Sequence, residues 1–295
     1  MKKILPFTGC ATALVTPFRD GEIDKEGLRR LMERQIACGV PALVIGGTTG
    51  ECATLDDRER ELLYRYAIEM ADGRLKIVLG TGTNDTRVAI SHTKLAERLG
   101  ADAILTVTPY YNKGTADGIV THYEKIANAT KLPVILYNVP SRTGVNLTVE
   151  MLARLSEIDN IVALKEASDS LDRLVELCAT FRDTLAIYSG NDTQLFPTLA
   201  LGGAGIISVV SNLLPKEVNA VCDAFWRGDY DEARRLSALL LPIAHTLFLE
   251  TNPAPVKYAL SVLGLCQGEL RLPLAEPADA VKAKIHATLA RYPRY

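Results

Sequence analysis

No stretch of this chain stays apolar for the length of a bilayer span, so no transmembrane helix is expected. No block of one charge sign is present either. Lysine and arginine number 33 and aspartate and glutamate 35, a formal net charge of -2. That balance leaves no basic footprint, and no nucleic-acid partner is expected. Metal-ligand spacing is missing too. Cys10, Cys38, Cys52, Cys178, Cys222 and Cys266 contain no Cys-x-x-Cys pair. His92, His122, His245 and His286 form no His-Glu-x-x-His, so no metal is expected. Met1-Lys2-Lys3 is followed by no long apolar segment and no cleavage signal. A cytoplasmic location is therefore expected, with the thiols as small buried hydrophobes. Cys10 and Cys52 fall near expected strand ends. No low-complexity tract or short-period repeat occurs, and the first glycine-rich turn of a dinucleotide-binding domain is absent.

What is present is a sizeable core. The chain has 295 residues, of which 48% are hydrophobic and 23% charged. Eight short apolar runs are expected strands: 9–16, 42–46, 76–80, 103–108, 134–138, 161–166, 185–189 and 205–210. They recur at about βα-unit spacing and read as continuous rather than alternating apolar runs, the pattern of a parallel sheet covered by helices. Leu28, Leu31, Met32, Gln35 and Ile36 follow the helical period between them. Thr54 and Thr148 are expected helix caps, and Gly39, Gly73 and Gly100 expected stops. The expected fold is an α/β (β/α)8 TIM barrel over residues 1–212; an open doubly wound sheet is the alternative. Residues 213–295 read as a C-terminal helical extension, with helices over 215–226, 230–241, 254–263 and 279–290, packed on the barrel.

In such a barrel the chemistry gathers at the C-terminal strand ends. Two of those ends carry reactive groups: the run 161–164 ends on Lys165, and 134–136 ends on Tyr137. A desolvated lysine amine adds to a ketone, and the adduct needs a proton donor and acceptor beside it. Tyr137, with Thr48 and Tyr111 as a hydroxyl chain, can supply that path. Thr49 can hold a carboxylate, and Arg142 presents a planar fork for a second one. Each part also has a plainer reading. Lys165 is then a strand-end lysine reaching solvent, 47–50 a turn, Tyr110-Tyr111 packing aromatics and Arg142 a surface ion pair. Asp192 and Glu51 raise the possibility of a carboxylate pair. Gly202-Gly203-Ala204-Gly205 reads as a tight turn rather than a phosphate cradle.

The stretches GGTTGE (46–51), VTPYYN (107–112), ILYNVPSRTG (135–144), LKEAS (164–168), SGND (189–192) and GIISV (205–209) together resemble the pyruvate-dependent class I aldolase/lyase family of (β/α)8 barrels, along nearly the whole chain. The resemblance implies a covalent imine between Lys165 and pyruvate, with no separate cofactor. It implies Tyr137 as proton donor and acceptor, and Thr48 and Tyr111 as relay. It implies Thr49 and the Ile207 backbone at pyruvate, Arg142 at the carboxylate of L-aspartate semialdehyde, and Gly190 in a loop beside the site. The SRTG form at 141–144 resembles the branch that condenses these two substrates in diaminopimelate and lysine biosynthesis. The alternative is a sugar-acid aldolase of 2-keto-3-deoxygluconate or N-acetylneuraminate type. A keto-acid-binding homologue without activity is disfavoured by the intact set. The family also implies a homotetramer, a dimer of dimers, in which Tyr111 crosses a subunit interface. Asn84 and Tyr110 resemble positions of a lysine-feedback site. Val88 and Asp57 depart from that pattern, so weak or absent inhibition by lysine is expected.

Overall fold

A computed structural model describes residues 3–292. Met1, Lys2 and the last three residues of the 213–295 range lie outside the described residues. The eight expected strands are all present: β1 (Gly9–Ala13), β2 (Ala42–Ile45), β3 (Lys76–Gly80), β4 (Ala103–Val107), β5 (Val134–Asn138), β6 (Ile161–Glu166), β7 (Ala186–Ser189) and β8 (Gly205–Ser208). All pairs are parallel, and β1 joins both β2 and β8, which closes the barrel. The open-sheet alternative is therefore excluded. β1 and β8 stop short of the expected 16 and 210, because the chain there leaves the ladder to build the barrel mouth.

Helices cover the outside: α1 (Lys25–Ala37), α2 (Asp57–Ala71), α3 (Thr86–Leu99), α4 (Ala116–Ala127), α5 (Val149–Ser156), α6 (Leu171–Thr180) and α7 (Leu195–Ala200). Thr148 caps α5 as expected, its hydroxyl accepting from the Met151 amide. The cap of α2 is corrected from Thr54 to Asp56. Asp56 and Glu59 form a reciprocal capping box, while Thr54 closes the 3-10 turn Cys52–Thr54. A small hairpin, Phe18–Arg19 against Glu22–Ile23, went unforeseen. Its turn is Asp20-Gly21, both at positive φ, the residues such a turn favours.

Two sets of side chains fill the core. Outward-facing strand residues pack on the helices. Inward-facing ones include Ala11, Ala13, Ala42, Ala103 and Ala163, small residues that leave room for Tyr137, Tyr188 and Lys165 inside the barrel. Tyr188 closes the lower end. Its ring stacks on Phe7 at 4.5 Å, and its hydroxyl donates to the Phe7 carbonyl. The turn 202–205 lies at that end too. A Cβ on Gly205 would collide with the Gly9 backbone, so the glycines serve packing.

The extension consists of α8 (Pro215–Trp226), α9 (Tyr230–Leu247), α10 (Ala254–Val262) and α11 (Asp279–Leu289). Here α9 runs past Pro242, six residues beyond the expected end. A proline removes one amide donor and pushes on the preceding turn. Tyr292 accommodates the distortion: its hydroxyl donates to the Leu239 carbonyl and accepts from the Ile243 amide, a pair that would bond directly in a regular helix. No helix among the described residues is long and apolar enough to cross a membrane.

Candidate active site

Strand pairing brings the two reactive residues together. Tyr137 on β5 and Lys165 on β6 are register partners. Both side chains point into the barrel, and Lys165 Nζ lies 4.3 Å from the centre of the Tyr137 ring. Lys165 is only 6% exposed. The solvent-reaching reading is therefore set aside.

Burial disfavours the ammonium form and lowers the Lys165 pKa to about 7. The field of Asp192 opposes this, and the Arg142 guanidinium adds to it. Among the described residues no carboxylate stands within ion-pair distance of Nζ. An ordinary lysine is about one part in a thousand neutral near pH 7.4; here a far larger fraction of the amine is neutral near pH 7. Burial raises the Tyr137 pKa, partly offset by Arg142 and by a hydrogen bond with the Thr48 hydroxyl. The phenol thus stays protonated and can donate.

A cavity of about 820 Å³ opens above the pair. Lys165, Tyr137, Thr48, Thr49, Arg142 and Gly190 all line it. Thr49 sits in the loop after β2, where its hydroxyl accepts from Asn252 Nδ2 at 2.9 Å. Arg142 stands on a single helical turn, Pro140–Thr143, and donates to the Asn252 carbonyl at 3.0 Å. It makes no ion pair among the described residues, so the surface ion-pair reading is corrected. Gly190 is needed for space. A Cβ there would stand 2.6 Å from Ala167 Cβ and 3.0 Å from Lys165 Cε.

Two expected site residues lie apart from this cavity's lining. Ile207 is fully buried on β8, facing the barrel interior below the mouth. Tyr111 is 89% exposed, in a loop where it holds a φ of 70°. Of the three residues expected to form a hydroxyl chain, Thr48 and Tyr137 stand at the cavity and Tyr111 apart from it. The carboxylate pair that Asp192 and Glu51 could have suggested does not form. Asp192 accepts from the Ser208 hydroxyl and the Val209 and Val210 amides, while Glu51 pairs with Lys257 at 2.6 Å.

The sequence reading missed the contribution of the extension. Ala244, His245 and residues 248–252, among them Phe248 and Asn252, line one side of the cavity. Asn252 is 203 positions from Thr49, a separation that no local pattern encodes. Asp192 was visible only as an acid after a strand; its place in the cavity lining, bonded to Ser208, Val209 and Val210, follows from the fold.

Comparison with known proteins identifies the family. The model of the dihydrodipicolinate synthetase family matches residues 6–292. A 4-hydroxy-tetrahydrodipicolinate synthase of Pelobacter propionicus is 48% identical over 286 residues, covering 97% of this chain and 99% of that one. The dihydrodipicolinate synthase structure from Thermotoga maritima superposes with a TM-score of 0.95 at 41% identity, covering 97% of this chain and 98% of that one. A chloride-inhibited dihydrodipicolinate synthase of Acinetobacter baumannii, solved in complex with pyruvate, gives 0.94 at 41% identity, with coverage of 97% and 98%. This chain belongs to the dihydrodipicolinate synthetase family.

Proposed function

We propose that this protein condenses pyruvate with L-aspartate semialdehyde to 4-hydroxy-tetrahydrodipicolinate, through an imine on Lys165. The observation that carries the reading is the buried Lys165 amine, lowered to about 7 beside the protonated Tyr137 at the floor of an open cavity. The neutral amine attacks the keto carbon of pyruvate. Tyr137 gives its proton to the carbinolamine oxygen, which leaves as water, and Thr48 is the next hydroxyl in the path. Loss of a proton from the methyl carbon turns the imine into an enamine. The enamine carbon attacks the aldehyde, whose oxygen takes up a proton and becomes the 4-hydroxyl. The amino group of the second substrate then displaces Lys165 from the imine carbon and closes the ring. One water is released, and the lysine returns free.

Thr49 holds the pyruvate carboxylate, with the Ile207 backbone below it, and Arg142 receives the carboxylate of the second substrate through its planar fork. Gly190 gives Lys165 room to swing. No separate cofactor takes part. Tyr111, exposed on its projecting loop, completes the proton path of a neighbouring subunit in a homotetramer. Residues 1–212 carry the chemistry and 213–295 close one wall of the cavity. The protein acts in the cytoplasm, in diaminopimelate and lysine biosynthesis.

Steady-state turnover tests the reading. Consumption of pyruvate with L-aspartate semialdehyde supports it. Cleavage of 2-keto-3-deoxygluconate or N-acetylneuraminate in its place moves the protein to the sugar-acid branch. No turnover of any of them removes the proposal.

A further inference from the structure

One buried ion pair plays no part in the mechanism above. Lys257 Nζ and Glu51 Oε1 are 2.6 Å apart, and both side chains are fully buried. Glu51 Oε2 also accepts from the Arg271 amide at 3.0 Å. Lys257 Nζ lies 4.4 Å from the centre of the Phe18 ring, and the Arg271 guanidinium lies 4.2 Å from the same ring. Both cations come from the helical extension, and the carboxylate belongs to the loop after β2. Such a pair is a poor source of stability, since the loss of hydration offsets the attraction. What it does is fix a place.

That place adjoins the proton path. Glu51 has a φ of 53°, a left-handed conformation that a glutamate seldom adopts. Held there, its amide donates to the Thr48 carbonyl at 3.1 Å, and the Gly50 amide donates to Gly47 at 3.0 Å. Thr48 in turn lines the same cavity as Tyr137 and Lys165. Thr49, between them, is held separately by Asn252. The chain of contacts therefore runs from Lys257 through Glu51 to Thr48, which stands at the cavity with Tyr137.

We infer that Lys257 is a positioning residue for the condensation: by anchoring Glu51 it keeps the Thr48 hydroxyl on Tyr137. The inference rests on the reading of Thr48 and Tyr137 as a proton path. It gives the extension a part in turnover as well as in closing the cavity.

A double-mutant cycle between Lys257→Met and Thr48→Val tests it, with kcat read well below the Tm of each variant. Lys257→Met is expected to lower kcat about tenfold when Thr48 is present, and less than about twofold in the Thr48→Val background. Equal losses in both backgrounds, or no loss in either, overturn the inference, because a purely structural role is blind to Thr48. Lys257→Met leaves a buried carboxylate without its cation. If that variant does not fold, Glu51→Gln with Lys257→Met removes both charges and enters the same cycle. Failure of this variant to fold as well assigns the pair to stability and also overturns the inference. Borohydride trapping of pyruvate on the unaltered protein separates the two claims. No trapped adduct sinks the proposed reaction itself. Trapping without coupling sinks only the role of Lys257.

Discussion

Lys165 Nζ sits 4.3 Å above the centre of the Tyr137 ring, on a neighbouring strand and in register with it. A cation over an aromatic face is attracted to it, but burial in an apolar barrel disfavours the charge more. The two effects leave a substantial fraction of the amine neutral near pH 7, with the Tyr137 ring beside it.

The first prediction concerns pH. The rate of imine formation with pyruvate should rise with pH and level off above about 7, following the neutral amine. Asp192 raises the Lys165 pKa and Arg142 lowers it. Asp192→Asn should therefore move the midpoint down, and Arg142→Leu should move it up. Timed borohydride trapping across pH measures both, and two unmoved midpoints would contradict the electrostatic account. Stability carries the same sign. The folded pKa lies below the unfolded one, so the unfolded chain binds more protons between about 7 and ~10.4. The lysine thus penalises the fold fully below about 7 and not at all above ~10.4. Lys165→Met should stabilise the protein by about 1–2 kcal/mol at pH 7, a gain that shrinks as pH rises. Urea titration at two pH values reads it.

Gly190→Ala should be damaging despite its small size. The added methyl meets Ala167 and Lys165 Cε in a packed wall. An expected loss of about 1–3 kcal/mol in stability would accompany a fall in kcat. Unchanged kcat and Tm would show that the wall yields freely.

Removing the two tyrosine hydroxyls should separate one chain from its neighbour. Tyr137→Phe should lower kcat about 100-fold or more while the fold persists, since its phenol lines the chain's own cavity beside Lys165 and is the proposed proton donor. Tyr111→Phe should also impair turnover, although Tyr111 is 89% exposed on the isolated chain. Sedimentation and assay at matched dilution check the cause: activity should fall as the assembly dissociates. A fully active monomer would exclude the shared site.

Lysine should inhibit weakly or not at all. Val88 is a half-exposed apolar side chain where the family's lysine-sensitive pattern has an acid, and Asp57 is engaged with His92 at 3.3 Å. An effector ammonium without that acid forgoes a charge-assisted hydrogen bond, roughly 1.5–3 kcal/mol. Inhibition at micromolar lysine in a steady-state assay would refute this.

Much of the barrel was legible because each strand is a short apolar run flanked by helix signals. Lys165 and Tyr137 stood out as polar residues ending such runs. The hairpin at Phe18–Arg19 escaped because its strands are only two residues long, although Asp20-Gly21 marked the turn. The passage of α9 through Pro242 depends on Tyr292, about fifty residues on, so no reading of the local pattern finds it. The same holds for the site. Residues after strand ends were readable, whereas Asn252, Lys257 and the position of Asp192 depend on contacts between distant segments.

The central claim is that the Lys165 amine forms an imine with pyruvate. Incubation with pyruvate, reduction with borohydride and peptide mass mapping test it most directly. The account predicts a single adduct on the peptide containing Lys165, absent from Lys165→Met. No adduct, or an adduct that persists on another lysine when Lys165 is replaced, would contradict it.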